Sequence, residues 1–325
     1  MYEKDTEVML VTSASLIYGN LKVHYSIEDE TLRSFAVIHG GYINILMAHG
    51  PNVRPKYLPC IEMGTKPKHI TAYVTEVKWA FFGNQYHLLV TSNLGINVYD
   101  QEGQIFKFTH PCCDGPRSPG TFARGIALIG DQLLCVGNSS GYIYIFCYPD
   151  EESCQVLEVV RLFKAHDQAV ISLESGRKTM ISTDNSGVIT IWAIDDSMSH
   201  LATIPSFSSV CTSLVNCDSV VIAGYLSGHL RLFESPSGQL LYDVTAHARP
   251  VTALDFTPEA GLLLSVSEDS FIRIWQLEPG DKLVQHKSTV HVKDRLIVGC
   301  QFLNSKGTEF CVSCYDSAEI LCYKT

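Results

Sequence analysis

The stretch Phe310-Cys-Val-Ser-Cys-Tyr-Asp-Ser-Ala-Glu-Ile-Leu-Cys-Tyr323 indicates a strand, a tight turn and a second strand, after which the chain ends. Six earlier segments have the same form, and each of them continues into a further strand. The missing strand of the last segment has a candidate at the other terminus, Glu7-Val-Met-Leu-Val-Thr-Ser13. A ring of repeats whose two ends join in one sheet explains both observations.

The second strand of each repeat is an alternating apolar run that starts at a glycine or a serine. Successive runs start between 41 and 54 residues apart, a period typical of four-stranded propeller blades. Side chains two apart in such a run share one face of the sheet, and each buried Ile, Leu or Phe contributes roughly 1.5–3 kcal/mol. The seven runs are Gly41–Met47, Gly95–Asp100, Gly141–Phe146, Gly187–Trp192, Gly228–Phe233, Ser270–Trp275 and Ser317–Cys322.

The sequence therefore predicts an all-β fold, a seven-bladed β-propeller of four-stranded antiparallel blades in one domain, 1–325. We name the strands of a blade a to d. Helices should be nearly absent, because no long segment has a 3.6-residue apolar period. The predicted blades are 21–62, 70–109, 122–163, 167–204, 208–245, 249–292 and 296–325, with 7–17 as the outer strand of the last blade.

The composition narrows the class of protein. Hydrophobic residues make up 46% of the 325 residues and charged residues 18%, which is typical of a folded chain. The net charge of −10 disfavours nucleic acid as a partner. No apolar run has the length of a membrane span. Twelve cysteines without a secretory signal predict free thiols and a cytoplasmic location.

The sixth predicted blade resembles a WD repeat. Ala246-His247 precedes its first strand, and Leu263-Leu-Ser-Val-Ser-Glu-Asp-Ser-Phe-Ile-Arg-Ile-Trp275 follows. In that family a His, a strand Ser, a turn Asp and a Trp form a hydrogen-bonded relay. The resemblance assigns these structural roles to His247, Ser265 (or Ser267), Asp269 and Trp275.

The fourth blade has the same pattern with one departure. His166, Ser182 and Trp192 match the relay, but Ser186 stands where the Asp belongs. We therefore predict one complete relay, in blade six. Several short stretches also resemble one particular member of the WD-repeat family: 122–127, 246–249 with 253–254, 263–265, and 315–316 with 318–320.

The resemblance implies a non-enzymatic scaffold that binds proteins or peptides and needs no cofactor. In this family the d–a and b–c loops share one face around the central channel, and large or cationic side chains there are the best anchors. Arg124 and Arg249, each just before a first strand, would suit an acidic or carboxylate-bearing ligand. The predicted partner-binding residues are Phe122, Arg124, Phe207, Tyr225, Arg249, Arg295 and Tyr315.

Two other functions stay open at this point. The chain could be a structural subunit of a larger or self-associated assembly, in transport, vesicles or cilia, with Tyr57–Ile61 as an exposed edge strand. It could also be an enzyme with a site at the channel mouth, although the sequence contains no phosphate-cradling loop, nucleophile elbow or zinc-protease motif.

Two cysteine motifs are weak candidates for chemistry. Cys311 and Cys314 have the CxxC spacing, but residues three apart on a strand face opposite sides, so one metal cannot be held by both. The run His110–Asp114 has more ligand types on a short segment. It is predicted to be an ordinary surface loop, since no second ligand pair follows at metal-binding spacing.

Overall fold

Strands account for all the regular secondary structure in the part of the chain that the structure describes. That part of the computed structural model comprises residues 1–25, 32–49, 52–60, 72–113, 120–148, 157–278 and 283–325. Its strands form seven four-stranded antiparallel sheets, each built on one of the alternating runs. The prediction of an all-β, seven-bladed β-propeller is confirmed.

The strands are numbered in chain order. They are β1 (Glu3–Met9), β2 (Leu21–Tyr25), β3 (Leu32–His39), β4 (Tyr42–His49), β5 (Asn52–Pro59), β6 (Val74–Phe82), β7 (Gln85–Ser92), β8 (Gly95–Asp100), β9 (Phe106–His110), β10 (Ala123–Ile129), β11 (Leu133–Asn138), β12 (Tyr142–Cys147), β13 (Glu158–Lys164), β14 (Val170–Ser175), β15 (Thr179–Asp184), β16 (Ile189–Ala193), β17 (His200–Ile204), β18 (Cys211–Asn216), β19 (Val220–Tyr225), β20 (His229–Glu234), β21 (Leu240–Thr245), β22 (Val251–Thr257), β23 (Leu262–Ser267), β24 (Phe271–Glu278), β25 (Leu283–His291), β26 (Ile297–Phe302), β27 (Glu309–Cys314) and β28 (Glu319–Lys324).

Blades one to six take their four strands in chain order, from β2–β5 to β22–β25. The chain divides into two compact units. Unit 1 comprises Met1–Leu58, Thr212–Glu234 and Leu240–Thr325, and unit 2 comprises Pro59–Cys211 and Ser235–Gln239. Unit 1 therefore holds blades one, five, six and seven, and unit 2 holds blades two, three and four.

The seventh blade of unit 1 combines the two termini of the chain. Its strand order is β1-β28-β27-β26, so the N-terminal strand is its outer edge. Thr6 lies opposite Cys322 and Val8 opposite Ile320. The prediction that the N-terminal segment supplies the missing strand of the last blade is confirmed.

The bounds of this outer strand differ from the predicted 7–17. The strand ends at Met9, and residues 10–17 connect it to blade one. Leu10 and Ala14 are buried in the core between blades seven and one, which explains the apolar pattern that suggested a later strand. The strand itself is almost fully exposed, so its sequence carries little apolar signal.

The outer strand of blade one also differs from expectation. The stretch Tyr57–Ile61 was predicted as an exposed edge strand, but β5 ends at Pro59 and Cys60 is completely buried. Ile61 lies outside the described residues. Pro59 has no N–H to donate, which suits the end of an edge strand.

Apolar clusters fill the spaces between consecutive blades within each unit. In unit 1, Ile272 and Ile274 of blade six pack with Phe310 and Val312 of blade seven. In unit 2, residues of blade two pack in the same way against blade three, and blade three against blade four. The alternating runs thus supply one face of each inter-blade core.

The b–c turns lie tightly against the d–a loops. At Gly228, φ is +81° and an added Cβ would lie 2.1 Å from the carbonyl oxygen of His247. Only glycine fits there without moving the backbone. This close approach couples the two kinds of loop that form one edge of a blade.

We predict that deleting residues 1–9 lowers the free energy of unfolding by about 3–9 kcal/mol. About half a dozen interstrand hydrogen bonds would be lost, each worth about 0.5–1.5 kcal/mol. Urea denaturation followed by circular dichroism measures the change. The control is Lys4→Ala/Glu7→Ala, which removes an exposed ion pair on the same strand and should change stability by less than about 1 kcal/mol. Equal unfolding curves for the truncated and intact chains would contradict the role of β1.

Candidate functional site

A buried chain of hydrogen bonds joins the d–a loop of blade six to its strands. His247 Nε2 lies 2.9 Å from Ser265 Oγ, which also accepts a 2.9 Å hydrogen bond from the indole Nε1 of Trp275. His247 Nδ1 lies 3.1 Å from both carboxylate oxygens of Asp269. With the proton on Nδ1, the imidazole donates to Asp269 and accepts from the Ser265 hydroxyl. Nη1 of Arg273 lies 2.8 Å from the same nitrogen and 3.4 Å from Asp269 Oδ2, so its positive charge also lies beside the carboxylate.

The electrostatics of this relay favour a neutral histidine and a charged aspartate. Burial lowers the pKa of His247, and the positive charge of Arg273 acts in the same direction, against the opposing effect of Asp269. Burial alone would raise the pKa of Asp269. Hydrogen bonds from His247 and from the amides of Ala248 and Phe271 outweigh that effect and hold its pKa well below the usual range.

Blade four of unit 2 contains a second complete relay, which corrects the prediction of only one. His166 Nε2 lies 2.6 Å from Ser182 Oγ, and Trp192 Nε1 donates to the same oxygen at 2.8 Å. The carboxylate comes from Asp184, whose Oδ2 is 3.4 Å from His166 Nδ1. Asp184 lies two residues before Ser186, the position where the sequence pattern had placed the acid.

The two relays exchange serine and aspartate between two turn positions. Blade four has Asp184 and Ser186, whereas blade six has Ser267 and Asp269 at the corresponding places. In both blades one of these two positions brings a carboxylate to the histidine. The motif missed this because it tests one position, while the turn geometry offers two.

In unit 1 the relay of blade six also holds the backbone of its d–a loop. Asp269 Oδ2 accepts a 3.0 Å hydrogen bond from the amide of Ala248. The Ser267 hydroxyl donates to the carbonyl oxygen of Arg249 at 3.1 Å. The loop that carries the Arg249 side chain is therefore fixed by buried groups.

Further hydrogen bonds continue this edge of unit 1 into blade seven and the N-terminal connector. The Ser270 hydroxyl donates to the carbonyl oxygen of Arg295 at 2.7 Å. The amide of Tyr315 donates to Leu296, and the amide of Asp316 donates to Ala14. These contacts place the b–c turn of blade seven between the loops that enter blades seven and one.

Five exposed side chains lie along these connected loops, and we call them the unit 1 loop face. Tyr315 is 44% exposed, Leu16 50% and Leu226 40%. Arg249 and Arg295 are also exposed. The guanidinium of Arg295 is 4.0 Å from Glu319, and no ion pair of Arg249 occurs within the described residues. The face thus combines apolar surface with positive charge.

The sequence predicted three of these five residues and missed two. Leu226 was missed because a single aliphatic residue in a loop carries no signal of its own, and Leu16 was missed because 7–17 was predicted as a strand. Their exposure follows only from the turn that holds them. Leu226 adjoins Ser227-Gly228, which the repeat pattern marks as a turn, and this is the signal that could have found it.

Tyr225 was predicted on the partner-binding face, and this is wrong. The residue is fully buried, with the guanidinium carbon of Arg231 4.5 Å from its ring centroid. Tyr225 is the last residue of β19, and its side chain packs inside the blade and not in the turn. It offers no surface to a partner.

The predicted residues of unit 2 are all half-buried. Phe122, Arg124 and Phe207 keep part of their surface accessible. Burial lowers the pKa of Arg124, although Glu76 opposes the shift. Glu76 also accepts a 2.9 Å hydrogen bond from the amide of Gly125. The charge of Arg124, on blade three, is therefore partly balanced by a carboxylate of blade two.

The cysteine motifs are part of the folded core. Cys311 and Cys314 belong to different apolar clusters, as expected for opposite faces of one strand. Burial raises the pKa of both thiols. Cys112 is completely buried in the His110–Asp114 segment, while Asp114 lies outside the described residues.

Neither a metal-binding cluster nor a membrane-spanning helix is found in the described ranges. No group of three or more His, Cys, Asp or Glu residues there has the geometry to hold a metal ion. No helix in these ranges is long and apolar enough to cross a membrane. All eleven cysteines of the described part of the chain are free.

Seven four-stranded blades with two histidine–serine–tryptophan relays define a WD-repeat β-propeller. A solved structure titled "Crystal Structure of Mitotic Checkpoint Complex" contains a chain with this fold, at a TM-score of 0.72 and 16% identity, covering 99% of this chain and 91% of that one. At that identity the likeness concerns the fold alone.

The family model WDR54 matches residues 1–325, and the chain is a member of the WDR54 family. It is 31% identical to WD repeat-containing protein 54 of Mus musculus, covering the full length of both chains. It is 32% identical to the protein of that name from Homo sapiens, over 98% of each chain. The resemblance that the short stretches indicated is to this protein, and it is confirmed.

We predict that Asp184→Ala lowers the free energy of unfolding by about 2–3 kcal/mol. The change leaves the buried His166 and the amides of Ser186 and Val188 without their charged acceptor. The matched control Ser186→Ala should cost less than about 1 kcal/mol. The exchange Asp184→Ser/Ser186→Asp recreates the blade-six arrangement and should recover most of the loss. Chemical denaturation measures all three. Equal losses for Asp184→Ala and Ser186→Ala would rule out the second relay.

We predict that the protein becomes less stable as the pH falls from about 7 to 5. Burial lowers the pKa of His166 and His247, whereas an unfolded histidine titrates near pH 6.5. Near and below that pH the unfolded chain binds more protons than the folded chain. The free energy of unfolding therefore decreases as the pH is lowered. Urea titrations at several pH values give the slope.

The slope should flatten in the variant His166→Gln/His247→Gln. Val312→Ala is the control, since it truncates a buried core residue and lowers stability without removing a titrating group. It should keep the original slope. A double variant with an unchanged slope would show that these histidines do not carry the pH dependence.

Proposed function

We propose that this protein is a non-enzymatic interaction scaffold that binds a protein or peptide through the loop face around the central channel. The observation that carries the proposal is the unit 1 loop face, where exposed apolar and cationic side chains stand on loops fixed by buried hydrogen bonds. Membership in a WD-repeat family supports the same role.

The rigidity of these loops favours binding. Arg249 lies in a loop held by Ser267 and Asp269, and Tyr315 lies in a turn held by the carbonyl of Leu296. A loop whose backbone is already fixed loses little further backbone entropy when a partner binds. Arginine and tyrosine are also the residue types that most often dominate interface energies.

The charges of the face suggest the chemistry of the partner. Arg249 is exposed, and a guanidinium binds a carboxylate through two parallel hydrogen bonds. Tyr315 and Leu16 add apolar surface on the same connected loops. We therefore infer a partner segment with an acidic side chain or a terminal carboxylate next to an apolar residue.

A cytoplasmic location is part of the proposal. All eleven described cysteines are free, and disulfides are rare in the reducing cytosol. Burial raises the pKa of most of these thiols, as for Cys135 and Cys217, which makes them poor nucleophiles.

The test is affinity capture from cells that express the protein naturally, with the double variant Arg249→Ala/Tyr315→Ala. We expect the variant to lose at least one specifically captured partner, because truncating a central anchor typically weakens binding by about 2 kcal/mol or more. Quantitative mass spectrometry of the captured proteins measures the loss.

The matched control is Arg54→Ala/Tyr57→Ala, which removes the same two residue types from exposed positions on the outer strand β5. It should retain the partner. Identical sets of captured proteins for the wild type and Arg249→Ala/Tyr315→Ala would show that the unit 1 loop face is not the binding surface.

A further inference from the structure

Blade two of unit 2 has an open pocket at the end opposite its b–c turn. The a–b turn between β6 and β7 and the c–d turn between β8 and β9 form its two sides. The pocket has a volume of about 610 Å³, and its lining includes Phe81, Tyr86, Asp100, Glu102 and Gln104. We call it the blade-two pocket.

Two aromatic side chains are exposed on one side of the pocket. Phe81 is 43% exposed and Tyr86 39%. They face each other across the hairpin, with ring centroids 4.9 Å apart and an angle of 60° between the ring planes. The next residue, Phe82, is buried, so the outward position of Phe81 follows from the alternation of the strand.

Two carboxylates stand on the other side in a well-fixed turn. Asp100 Oδ1 accepts hydrogen bonds from the amides of Gln104 at 2.6 Å and Ile105 at 3.0 Å. Glu102 Oε2 accepts from the side-chain amide of Gln104 at 2.7 Å. The indole of Trp79 donates to the carbonyl oxygen of Gln101 at 3.2 Å, which ties the turn to β6.

Among the residues that the structure describes, the lining of the pocket includes no lysine or arginine. Lys107, on β9, lies outside the lining. His87, which is paired with Asp100 across β7 and β8, stacks on Phe82 with ring centroids 4.0 Å apart. Burial lowers the pKa of His87, so it adds no positive charge near neutral pH. The two carboxylates therefore give the pocket a negative potential.

We propose that the blade-two pocket binds an arginine side chain of a partner protein. The planar guanidinium stacks on exposed aromatic rings and at the same time donates hydrogen bonds to carboxylates. Phe81 and Tyr86 supply the rings, and Glu102 and Asp100 supply the acceptors. The blade-two pocket shares no residue with the unit 1 loop face. It takes a positively charged group, whereas the unit 1 loop face takes a negatively charged one.

The experiment is an NMR titration with the peptide acetyl-Gly-Arg-Gly-Arg-Gly-amide. The chain has three tryptophans, so three indole N–H signals report on it. We expect a saturable shift of the Trp79 signal, since its indole is bonded to the pocket turn. The signals of Trp192 and Trp275 should stay in place, because both indoles are bonded inside the relays.

Three variants define the contacts. Phe81→Ala/Tyr86→Ala and Glu102→Gln should each lower the affinity for the arginine peptide by about fivefold. The triple variant should lower it by about tenfold or more. The control Val160→Ala changes a side chain of β13 that is 56% exposed, and it should bind like the wild type. All these positions are exposed, so the variants should keep the fold.

Two further peptides test the chemistry. A peptide with citrulline in place of arginine has the same shape without the charge and should cause no saturable shift. A lysine peptide should bind several-fold more weakly, because an ammonium does not stack. The proposal fails if the arginine peptide does not shift the Trp79 signal, if citrulline or lysine binds equally well, or if the variants keep the wild-type affinity.

Discussion

The middle strands of a blade, b and c, are largely apolar on both faces. Only a neighbouring sheet can cover each of these faces. All six residues of β23 are buried, as are five of the six in β11. A single four-stranded sheet of this kind would leave one or both faces in water, at a cost of roughly 25 cal/mol for each Å² of apolar surface. The repeat therefore has stability only as part of an array. The same constraint explains why the two ends of the chain share one blade.

The polar relays depend on this apolar packing. His166 and His247 can stay buried because a serine, a tryptophan and a carboxylate satisfy them, and because the surrounding sheets exclude water. Within such a low-dielectric site each hydrogen bond is stronger, and each missing partner costs more. The exchange of Asp184 for Asp269 between two turn positions shows which property matters. The carboxylate must reach the imidazole, and the turn offers two ways to place it.

The two surfaces of interest follow from the same architecture. The unit 1 loop face stands on loops that a buried relay fixes, with Arg249 directly beside the residues bonded to Asp269. The blade-two pocket stands on turns that Asp100 and Trp79 fix. One presents positive charge and the other negative charge, each next to exposed apolar side chains. Each surface is therefore proposed, by itself, as a binding site for a group of the opposite charge.

The sequence by itself determined the repeat, the number of blades, the end of the chain that completes the seventh blade and the relay of blade six. These follow from side-chain periodicity and from a motif whose members have fixed spacing. Only the tertiary structure decided that β1 ends at Met9, that Asp184 completes a second relay and that Tyr225 is buried. It also decided that Leu16 and Leu226 are exposed. The physical reason is that periodicity reports which faces of a strand are covered, whereas the direction of a side chain in a turn or connector depends on the loops packed against it.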